Sequence, residues 1–278
     1  MKLATMRTDS GRRAVKVEPD RLVDLGVDDL GEFLAAPDWR VRAESVQGTS
    51  YSLDGAVFAP LVPQPSKVVC VGLNYKNHIQ EMGRELPEYP TLFSKFSDTL
   101  IGATDDIRRP GETDAFDWEV ELAVVIGTQV RRATTADAEA AIAGFTVLND
   151  ITCRDWQFRT REWLQGKNWE ATTPVGPYLV TPDELPGGVR PVCDVRLTVD
   201  GEQMQADTTG DLLFDPVALV EYVSTMIRLN PGDIIATGTP GGVGHARKPE
   251  RYLIGGETVV AEIDGIGRLA NRVVKDAF

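Results

Sequence analysis

Two glutamates one residue apart, Glu119 and Glu121, are the residues of this sequence best suited to chemistry. The apolar run that follows Trp118 indicates a buried strand. Side chains alternate along a strand, so both carboxylates point to the same face. Like charges on a half-buried face repel each other, and a divalent cation is the simplest group that offsets the repulsion. The alternative is a solvated strand face whose glutamates pair with Lys or Arg.

A third carboxylate, Asp150, directly follows the next apolar strand, residues 145–149. Three carboxylates without a thiolate or an imidazole make a hard oxygen site, which suits Mg²⁺, Mn²⁺ or Ca²⁺ rather than Zn²⁺. We therefore predict that Glu119, Glu121 and Asp150 are metal ligands. Mg²⁺ or Mn²⁺ is the expected cofactor, and Ca²⁺ is the ion that crystals would also accept.

An imidazole and a carboxylate three residues apart, His78 and Glu81, share one face if this segment is helical. A histidine beside an acid is the usual means of taking a proton from water near neutral pH. We predict a catalytic dyad here, and the alternative is an ordinary exposed ion pair on a helix.

Hydrogen-bond donors follow the acid cluster along the chain. Arg154 and Gln157 would share a helical face and offer donors to an oxyanion or a carboxylate, although a surface helix would show the same pattern. Lys167 follows a glycine and lies near the acids in sequence, so it is predicted to neutralise an enolate rather than to point into solvent. Thr239 lies in a glycine-rich loop after a strand and is predicted to donate its hydroxyl to a ligand. That loop lacks the Gly-Lys-Ser/Thr of a phosphate loop.

The first 60 or so residues predict a small β-rich domain, assigned to residues 1–62. Its strands are expected near residues 3–7, 14–17 and 22–25, with turns between them and a short helix at 29–35. Pro60, Pro63 and Pro65 then indicate a stiff linker. The main domain is assigned to residues 66–278.

The main domain begins with a short buried strand at residues 68–72. Thr135 is predicted to cap a helix over 136–143 that Gly144 stops, and Asp215 with Pro216 opens a second helix that reaches about residue 227. Asp-Gly pairs predict two hairpins, at residues 200–201 and 264–265. Strands dominate and do not alternate with helices, so the predicted fold class is α+β with an extensive mixed or antiparallel sheet system.

Composition narrows the class of protein. The chain has 278 residues, 42% of them hydrophobic, which is enough for a sizeable core. Its 29 basic and 42 acidic residues give a net charge of −13, which argues against nucleic acid or an anionic membrane as partner. The three cysteines are widely spaced and are predicted to be buried and unpaired, as in a reduced cytoplasm. No apolar run is long enough to span a membrane, and the first residues lack the apolar core of a signal peptide.

Together these segments resemble the fumarylacetoacetate hydrolase family over about residues 66–275. Each motif is weak alone, but their order and joint spacing are specific. The matching landmarks are Gly72-x-Asn74-Tyr75-x-x-His78-x-x-Glu81, Pro90-x-x-Phe93-x-Lys95, Trp118-Glu119-x-Glu121-Leu122, Asp150-x-x-x-Arg154-Asp155-x-Gln157, Gly166-Lys167, Gly176-Pro177, and Pro231-Gly232-Asp233 through Thr237-Gly238-Thr239-Pro240.

The resemblance implies a mixed β-sandwich roll, a metal held by Glu119, Glu121 and Asp150, a homodimer, and 2-oxo acids as substrates. The acylpyruvase branch of the family carries its histidine and glutamate on a short mobile lid, and the spacing of His78 and Glu81 matches that branch. We accordingly expect a lid over about residues 76–89.

The reaction that this resemblance favours is hydrolysis of a carbon–carbon bond in an acylpyruvate, for example a fumarylpyruvate-like aromatic catabolite. His78, oriented by Glu81, would activate water, Lys167 would stabilise the pyruvate enolate, and Arg154, Gln157 and Thr239 would anchor substrate oxygens. Isomerisation of a 2-hydroxyhepta-2,4-diene-1,7-dioate and decarboxylation of oxaloacetate use the same enolate and are the alternatives. A non-catalytic β-sandwich that binds Ca²⁺ is the alternative from another class.

Overall fold

Alternating apolar residues and glycine-containing turns fold this chain largely into two packed β-sheets. The computed structural model describes residues 1–81, 83 and 85–277, with the backbone but not the side chain of Glu81. The strands are β1 (Lys2–Thr8), β2 (Gly11–Val17), β3 (Arg21–Asp24), β4 (Ser50–Ser52), β5 (Val68–Gly72), β6 (Thr91–Lys95), β7 (Leu100–Ile101), β8 (Ile107–Arg109), β9 (Phe116–Asp117), β10 (Val120–Ile126), β11 (Ile142–Asn149), β12 (Thr152–Cys153), β13 (Thr173–Val180), β14 (Asp194–Val199), β15 (Glu202–Thr208), β16 (Ile234–Ala236), β17 (Thr258–Ile263) and β18 (Gly267–Lys275). The α-helices are α1 (Leu30–Leu34), α2 (Trp39–Ser45), α3 (Lys76–Glu81), α4 (Thr135–Ala141), α5 (Arg154–Gln157), α6 (Leu164–Lys167) and α7 (Pro216–Met226).

The larger sheet has the strand order β4-β3-β2-β1-β13-β11-β10-β16-β5-β6, and β7 pairs with β13 beside this path. The smaller sheet has the order β15-β14-β17-β18-β8. Most pairs are antiparallel, but β5 with β16, β7 with β13 and β8 with β18 are parallel. These mixed sheets confirm the predicted α+β class.

Strand β10 is buried on both faces, which explains its continuous apolar sequence. Leu122 and Val124 face the main core between the two sheets. Ala123 and Val125 face a second core that contains α1 and α2. Glu121 follows the same alternation as Ala123 and Val125, so the carboxylates lie at the beginning of β10 on this second face.

The N-terminal strands continue the larger sheet, because β1 pairs antiparallel with β13 through Lys2↔Val180 and Leu3↔Leu179. Residues 61 and 62, in the predicted proline linker, are buried in the second core. The division of the chain into two domains stays a prediction. The strands predicted in this region and the helix after Asp29 are present, and the Asp29 side chain accepts a hydrogen bond from the backbone of Glu32 as a helix cap.

The prediction for α4 was wrong at both ends. Its cap is Thr134, which forms a reciprocal capping box with Asp137. Its end is Ala141, because the chain enters β11 at Ile142 and pairs with β10 and β13. Gly144 therefore lies inside this strand rather than at a helix end. Glycine fits this position because a Cβ there would lie 2.3 Å from the Val180 carbonyl oxygen.

Other local predictions hold. Helix α7 begins at Pro216, with the Asp215 side chain accepting from the backbone N–H groups of Val217 and Ala218. The two predicted hairpins connect β14 to β15 and β17 to β18. The three cysteines are buried and free. Among the described residues, no helix is long and apolar enough to cross a membrane.

Candidate functional site

The three predicted ligand carboxylates meet where the beginning of β10 lies beside the end of β11. Val120 pairs with Asn149, so Glu119 and Glu121 flank the position from which Asp150 leaves its strand. The Asp150 backbone N–H also donates to the Glu119 carbonyl oxygen at 2.8 Å. Carboxylate oxygens of Glu119, Glu121 and Asp150 all lie within 4.8 Å of one another, and all three residues are buried. The structure therefore brings the predicted set together.

Two buried lysines approach the same carboxylates. Lys167 Nζ lies 2.7 Å from Glu119 Oε2 and 2.7 Å from Asp150 Oδ2. Lys95 Nζ lies 2.7 Å from Asp150 Oδ1 and also donates to the Lys167 carbonyl oxygen. Burial lowers the pKa of Lys167, but the negative charges of Asp150 and Glu119 outweigh burial and raise it. Lys167 is thus held as an ammonium ion.

Close backbone packing sets the position of Lys167. A Cβ on the preceding Gly166 would lie 2.5 Å from Gln157 Cβ and 2.6 Å from the Gln157 backbone nitrogen. Glycine therefore allows α6 to pack directly against α5, and the lysine that follows enters the carboxylate cluster. This close packing explains why a glycine precedes the lysine in the Gly166-Lys167 pair.

Arg154 and Gln157 share one face of α5, as predicted, and the Arg154 Nη1 donates to Gln157 Oε1 at 3.0 Å. Arg154 Nε donates to Asp117 Oδ2 at 2.8 Å. Its Nη2 lies 2.7 Å from Glu119 Oε1, an ion-pair contact that lacks hydrogen-bond alignment. Burial lowers the pKa of Arg154, but Asp117 and Glu119 outweigh burial and raise it, so this guanidinium is a permanent cation.

Charge balance singles out Glu121. Three buried cations (Lys95, Arg154, Lys167) contact three of the four buried carboxylates of this site (Asp117, Glu119, Asp150). Among the described residues no cation lies within ion-pair distance of the fourth, Glu121, whose Oε2 accepts only from the Gly238 N–H at 2.8 Å. Burial raises the pKa of Glu121 well above its ordinary value, and the charges of Asp150 and Glu119 raise it further.

This cluster fits a divalent cation. It offers oxygen donors from three converging side chains, and its cations leave one carboxylate charge uncompensated. Hard divalent ions prefer such donors, and their charge would relieve the repulsion that raises the pKa of Glu121. That the cluster binds a metal, and which metal, stay predictions.

A pocket of about 850 Å³ opens above the cluster. Each predicted catalytic or binding side chain that the structure describes lines it: His78, Arg154, Gln157, Lys167 and Thr239, together with Glu119 and Glu121. Phe93, Phe158 and Trp163 form an apolar part of its wall. This volume is in the upper part of the range for small-molecule sites.

The segment of the predicted dyad is helical, as α3, and the dyad itself stays a prediction. The Glu81 side chain lies outside the described part of the structure, and so do Met82 and Arg84 of the predicted lid. The Thr239 hydroxyl donates to the Val120 carbonyl oxygen at 2.9 Å and accepts from Gln205 Nε2 at 2.8 Å. Its proton is therefore already engaged within the protein.

Sequence reasoning missed four residues of this site. Lys95 was noted only as a family landmark, and Asp117 only as a neighbour of the glutamates. His245 and Arg247 line the far side of the pocket in the segment that follows the glycine-rich loop. The sequence indicates a role for His245 and Arg247 only through their proximity to the glycine-rich loop.

Comparisons with known proteins show a matching family model, similar relatives and similar solved structures. The family model described as fumarylacetoacetate (FAA) hydrolase C-terminal matches residues 67–274. The mitochondrial oxaloacetate tautomerase of Rattus norvegicus is 43% identical over 220 residues, which cover 78% of this chain and 69% of the relative.

Two solved structures have the same fold. The 5-carboxymethyl-2-hydroxymuconate delta-isomerase of Mycobacterium smegmatis is 32% identical, has a TM-score of 0.81, and matches over 100% of both chains. The maleylpyruvate hydrolase of Sphingobium sp. SYK-6, solved with manganese(II) and pyruvate, is 26% identical, has a TM-score of 0.82, and matches over 99% of both chains. Proteins similar to this chain therefore include a tautomerase, an isomerase and a hydrolase.

Proposed function

This chain belongs to the fumarylacetoacetate hydrolase family, and we propose that within it the chain is an enzyme that moves a proton at the carbon next to the 2-oxo group of a small 2-oxo acid. The substrate proposed first is oxaloacetate, whose enol and keto forms the enzyme would interconvert. The observation that carries the proposal is the Lys167 ammonium, held by Glu119 and Asp150 beneath a pocket that also contains an arginine and a histidine. The name of the relative at 43% identity supports the choice of oxaloacetate.

Charge assigns the roles of the side chains. Lys167 is protonated, so it is suited to hold the negative oxygen of an enolate and unsuited to remove a proton. Proton removal falls to another group, for which His78 on the pocket wall is our candidate. Arg154, fixed by Asp117 and beside Gln157, presents donors that fit the substrate carboxylate. A divalent cation bound by Glu119, Glu121 and Asp150 would act as a Lewis acid that polarises the 2-oxo group.

The second candidate is hydrolysis of an acylpyruvate, the reaction expected from the sequence. Its specific support is the size of the pocket, since a four-carbon acid fills only a small part of about 850 Å³. In this reaction His78 takes a proton from water, the hydroxide attacks the C4 carbonyl, and the C3–C4 bond breaks to leave the electron pair in a pyruvate enolate. Lys167 stabilises that enolate, which gains a proton to become pyruvate, and the acyl part leaves as a carboxylic acid.

Three other predictions have less support. Isomerisation of a hydroxy-diene dioate and decarboxylation of oxaloacetate pass through the same kind of enolate. The similar isomerase is named for another substrate, 5-carboxymethyl-2-hydroxymuconate, and supports the first of them only as a type of reaction. A purely structural Ca²⁺ site does not explain why His78 and Lys167 line the pocket. Assembly as a homodimer and residence in the cytoplasm stay predictions.

One panel of assays separates these reactions. The purified chain is stripped with chelator, reloaded with Mg²⁺ or Mn²⁺, and mixed with enol-oxaloacetate, with acylpyruvates and with a hydroxy-diene dioate. Loss of enol absorbance without pyruvate formation identifies tautomerisation, and pyruvate from oxaloacetate identifies decarboxylation. Pyruvate from acylpyruvates alone would replace the first candidate by the second. No metal-dependent acceleration with any substrate would overturn both.

A further inference from the structure

The far wall of the pocket carries its own positive charge. Segment 243–250 lines the pocket with Arg247 and Lys248, against one carboxylate, that of Glu250. The balance is one net positive charge, in a chain whose overall charge is −13. The Glu250 carboxylate accepts from the Tyr252 hydroxyl at 2.9 Å, so it is already engaged. An anion that enters this pocket therefore meets positive charge on this wall as well as beside the carboxylate cluster.

Arg247 is a half-buried residue of this wall whose donors are not all used within the described part of the structure. Its Nη2 donates to the Met204 carbonyl oxygen at 3.2 Å, which holds the side chain in place. Its Nε has no hydrogen-bond partner among the described residues; it is closed to solvent, so a ligand reaches it only if the side chain shifts. Buried guanidinium donors are normally satisfied, and a carboxylate is the ligand that their planar fork fits best.

The position of this wall is fixed relative to the carboxylate cluster. The backbone N–H groups of Gly244 and His245 donate to Asp117, at 2.7 Å to Oδ1 and 3.0 Å to Oδ2. The same Asp117 Oδ2 accepts from Arg154, which contacts Glu119. One buried aspartate thus holds the beginning of this segment beside Arg154 and the predicted metal site.

We propose that Arg247 is a specificity-determining residue that binds the far carboxylate of a dicarboxylic 2-oxo acid. The pocket is polar at both ends, and Phe93, Phe158 and Trp163 supply apolar wall. Such a site fits a diacid with a short hydrocarbon spacer, and the large pocket volume favours spacers longer than that of oxaloacetate. This inference rests on the proposed function for the class of substrate and adds to it the residue that selects diacids.

The test measures binding rather than turnover, using the Mn²⁺-loaded full-length chain. Isothermal calorimetry compares two diacids, neither of which is a proposed substrate, with monoacids of the same chain length: 2-oxoglutarate with 2-oxovalerate, and 2-oxoadipate with 2-oxohexanoate. We expect the wild type to bind at least one diacid about 10- to 100-fold more tightly than its matched monoacid, the range for a hydrogen bond to a charged group.

Arg247→Gln should remove most of that preference and leave monoacid affinity within about twofold, because only the far carboxylate loses its partner. Arg247→Lys should keep part of the preference for diacids, since the positive charge remains. Arg251→Gln is the matched control: Arg251 is four residues away, pairs with Glu202 at 2.6 Å and does not line the pocket. Thermal unfolding of each variant identifies any that fails to fold, in which case Arg247→Lys carries the comparison.

Two results would overturn the inference: a wild type that binds diacids and monoacids equally, or an Arg247→Gln variant that weakens both to the same extent. Failure of the proposed function has a different signature. In that case no substrate turns over in the enzyme assays, whereas the calorimetric preference for diacids and its dependence on Arg247 are unaffected.

Discussion

Replacement of Glu121 by glutamine tests the charge balance on which the predicted metal site depends. Glu121 is buried, and its carboxylate has no cation within ion-pair distance among the described residues, in contrast to Asp117, Glu119 and Asp150. Glutamine has nearly the same shape and keeps an oxygen that can accept from the Gly238 N–H. The substitution therefore removes one negative charge with little change in packing.

Glu121→Gln should stabilise the metal-free protein but reduce the stability that the protein gains from bound metal. In chelator, Glu121→Gln should raise the free energy of unfolding by about 1–3 kcal/mol, because it removes the penalty of burying a carboxylate without a charged partner. For a chain of this size each kcal/mol corresponds to about 2–4 °C in Tm. The wild type should gain about 2.7 kcal/mol when free Mn²⁺ is about 100 times its Kd, and the variant should lose most of that gain because it lacks one ligand charge.

The advantage of the variant in chelator should also grow with pH. The ordinary pKa of the Glu121 carboxyl is 4.5, and burial in the folded chain raises it well above that value. Between these two pKa values the folded chain keeps a proton that the unfolded chain has lost, so metal-free wild-type stability falls as pH rises. Glutamine cannot titrate, and the difference in Tm between variant and wild type should therefore widen from about pH 5 upward.

Differential scanning fluorimetry at several pH values, with EDTA or with Mn²⁺, measures all three effects. Glu44→Gln, an exposed residue on α2, is the control for loss of one carboxylate and should show no such reversal. The reasoning is refuted if Glu121→Gln lowers Tm in EDTA at every pH and still responds to Mn²⁺ as the wild type does. That result would mean that Glu121 is paired in solution and is no metal ligand.

Three further predictions concern the other side chains of the site. Lys167→Met should leave Glu119 and Asp150 without an important partner and lower stability in EDTA by about 3–5 kcal/mol, measured by urea unfolding; an unchanged transition midpoint would contradict the buried ion pairs. His78→Ala should lower acylpyruvate cleavage by about 10²–10⁴-fold but oxaloacetate decarboxylation much less, and equal losses would exclude His78 as the base that activates water. Hydrogen exchange over residues 76–89 should slow when oxalate binds the Mn²⁺-loaded protein, and identical exchange with and without oxalate would reject the predicted lid.

Local sequence signals predicted much of the fold. The strand that carries Glu121, helix α7 after Asp215, and both Asp-Gly hairpins depend on contacts within a few residues, and the sequence specified them correctly. The end of α4 was mispredicted because the decisive contact is distant. Gly144 approaches the carbonyl of Val180 in β13. Pairing with β13 places the residues from Ile142 onward in a strand, although the local sequence predicted a helix there.

The sequence by itself determined which carboxylates converge, since alternation along β10 and the end of β11 bring Glu119, Glu121 and Asp150, the predicted metal ligands, to one place. Only the tertiary structure decided how these charges are balanced and what faces them. Lys95 reaches Asp150 across 55 residues, and Gly244 reaches Asp117 across 127 residues. Hydrophobic periodicity and helix capping act over a few residues, whereas buried charges pair with whichever opposite charge the fold brings near. The lack of a cation beside Glu121 among the described residues, and the positive charge that Arg247 brings to the pocket wall, are therefore consequences of how the sheets assemble.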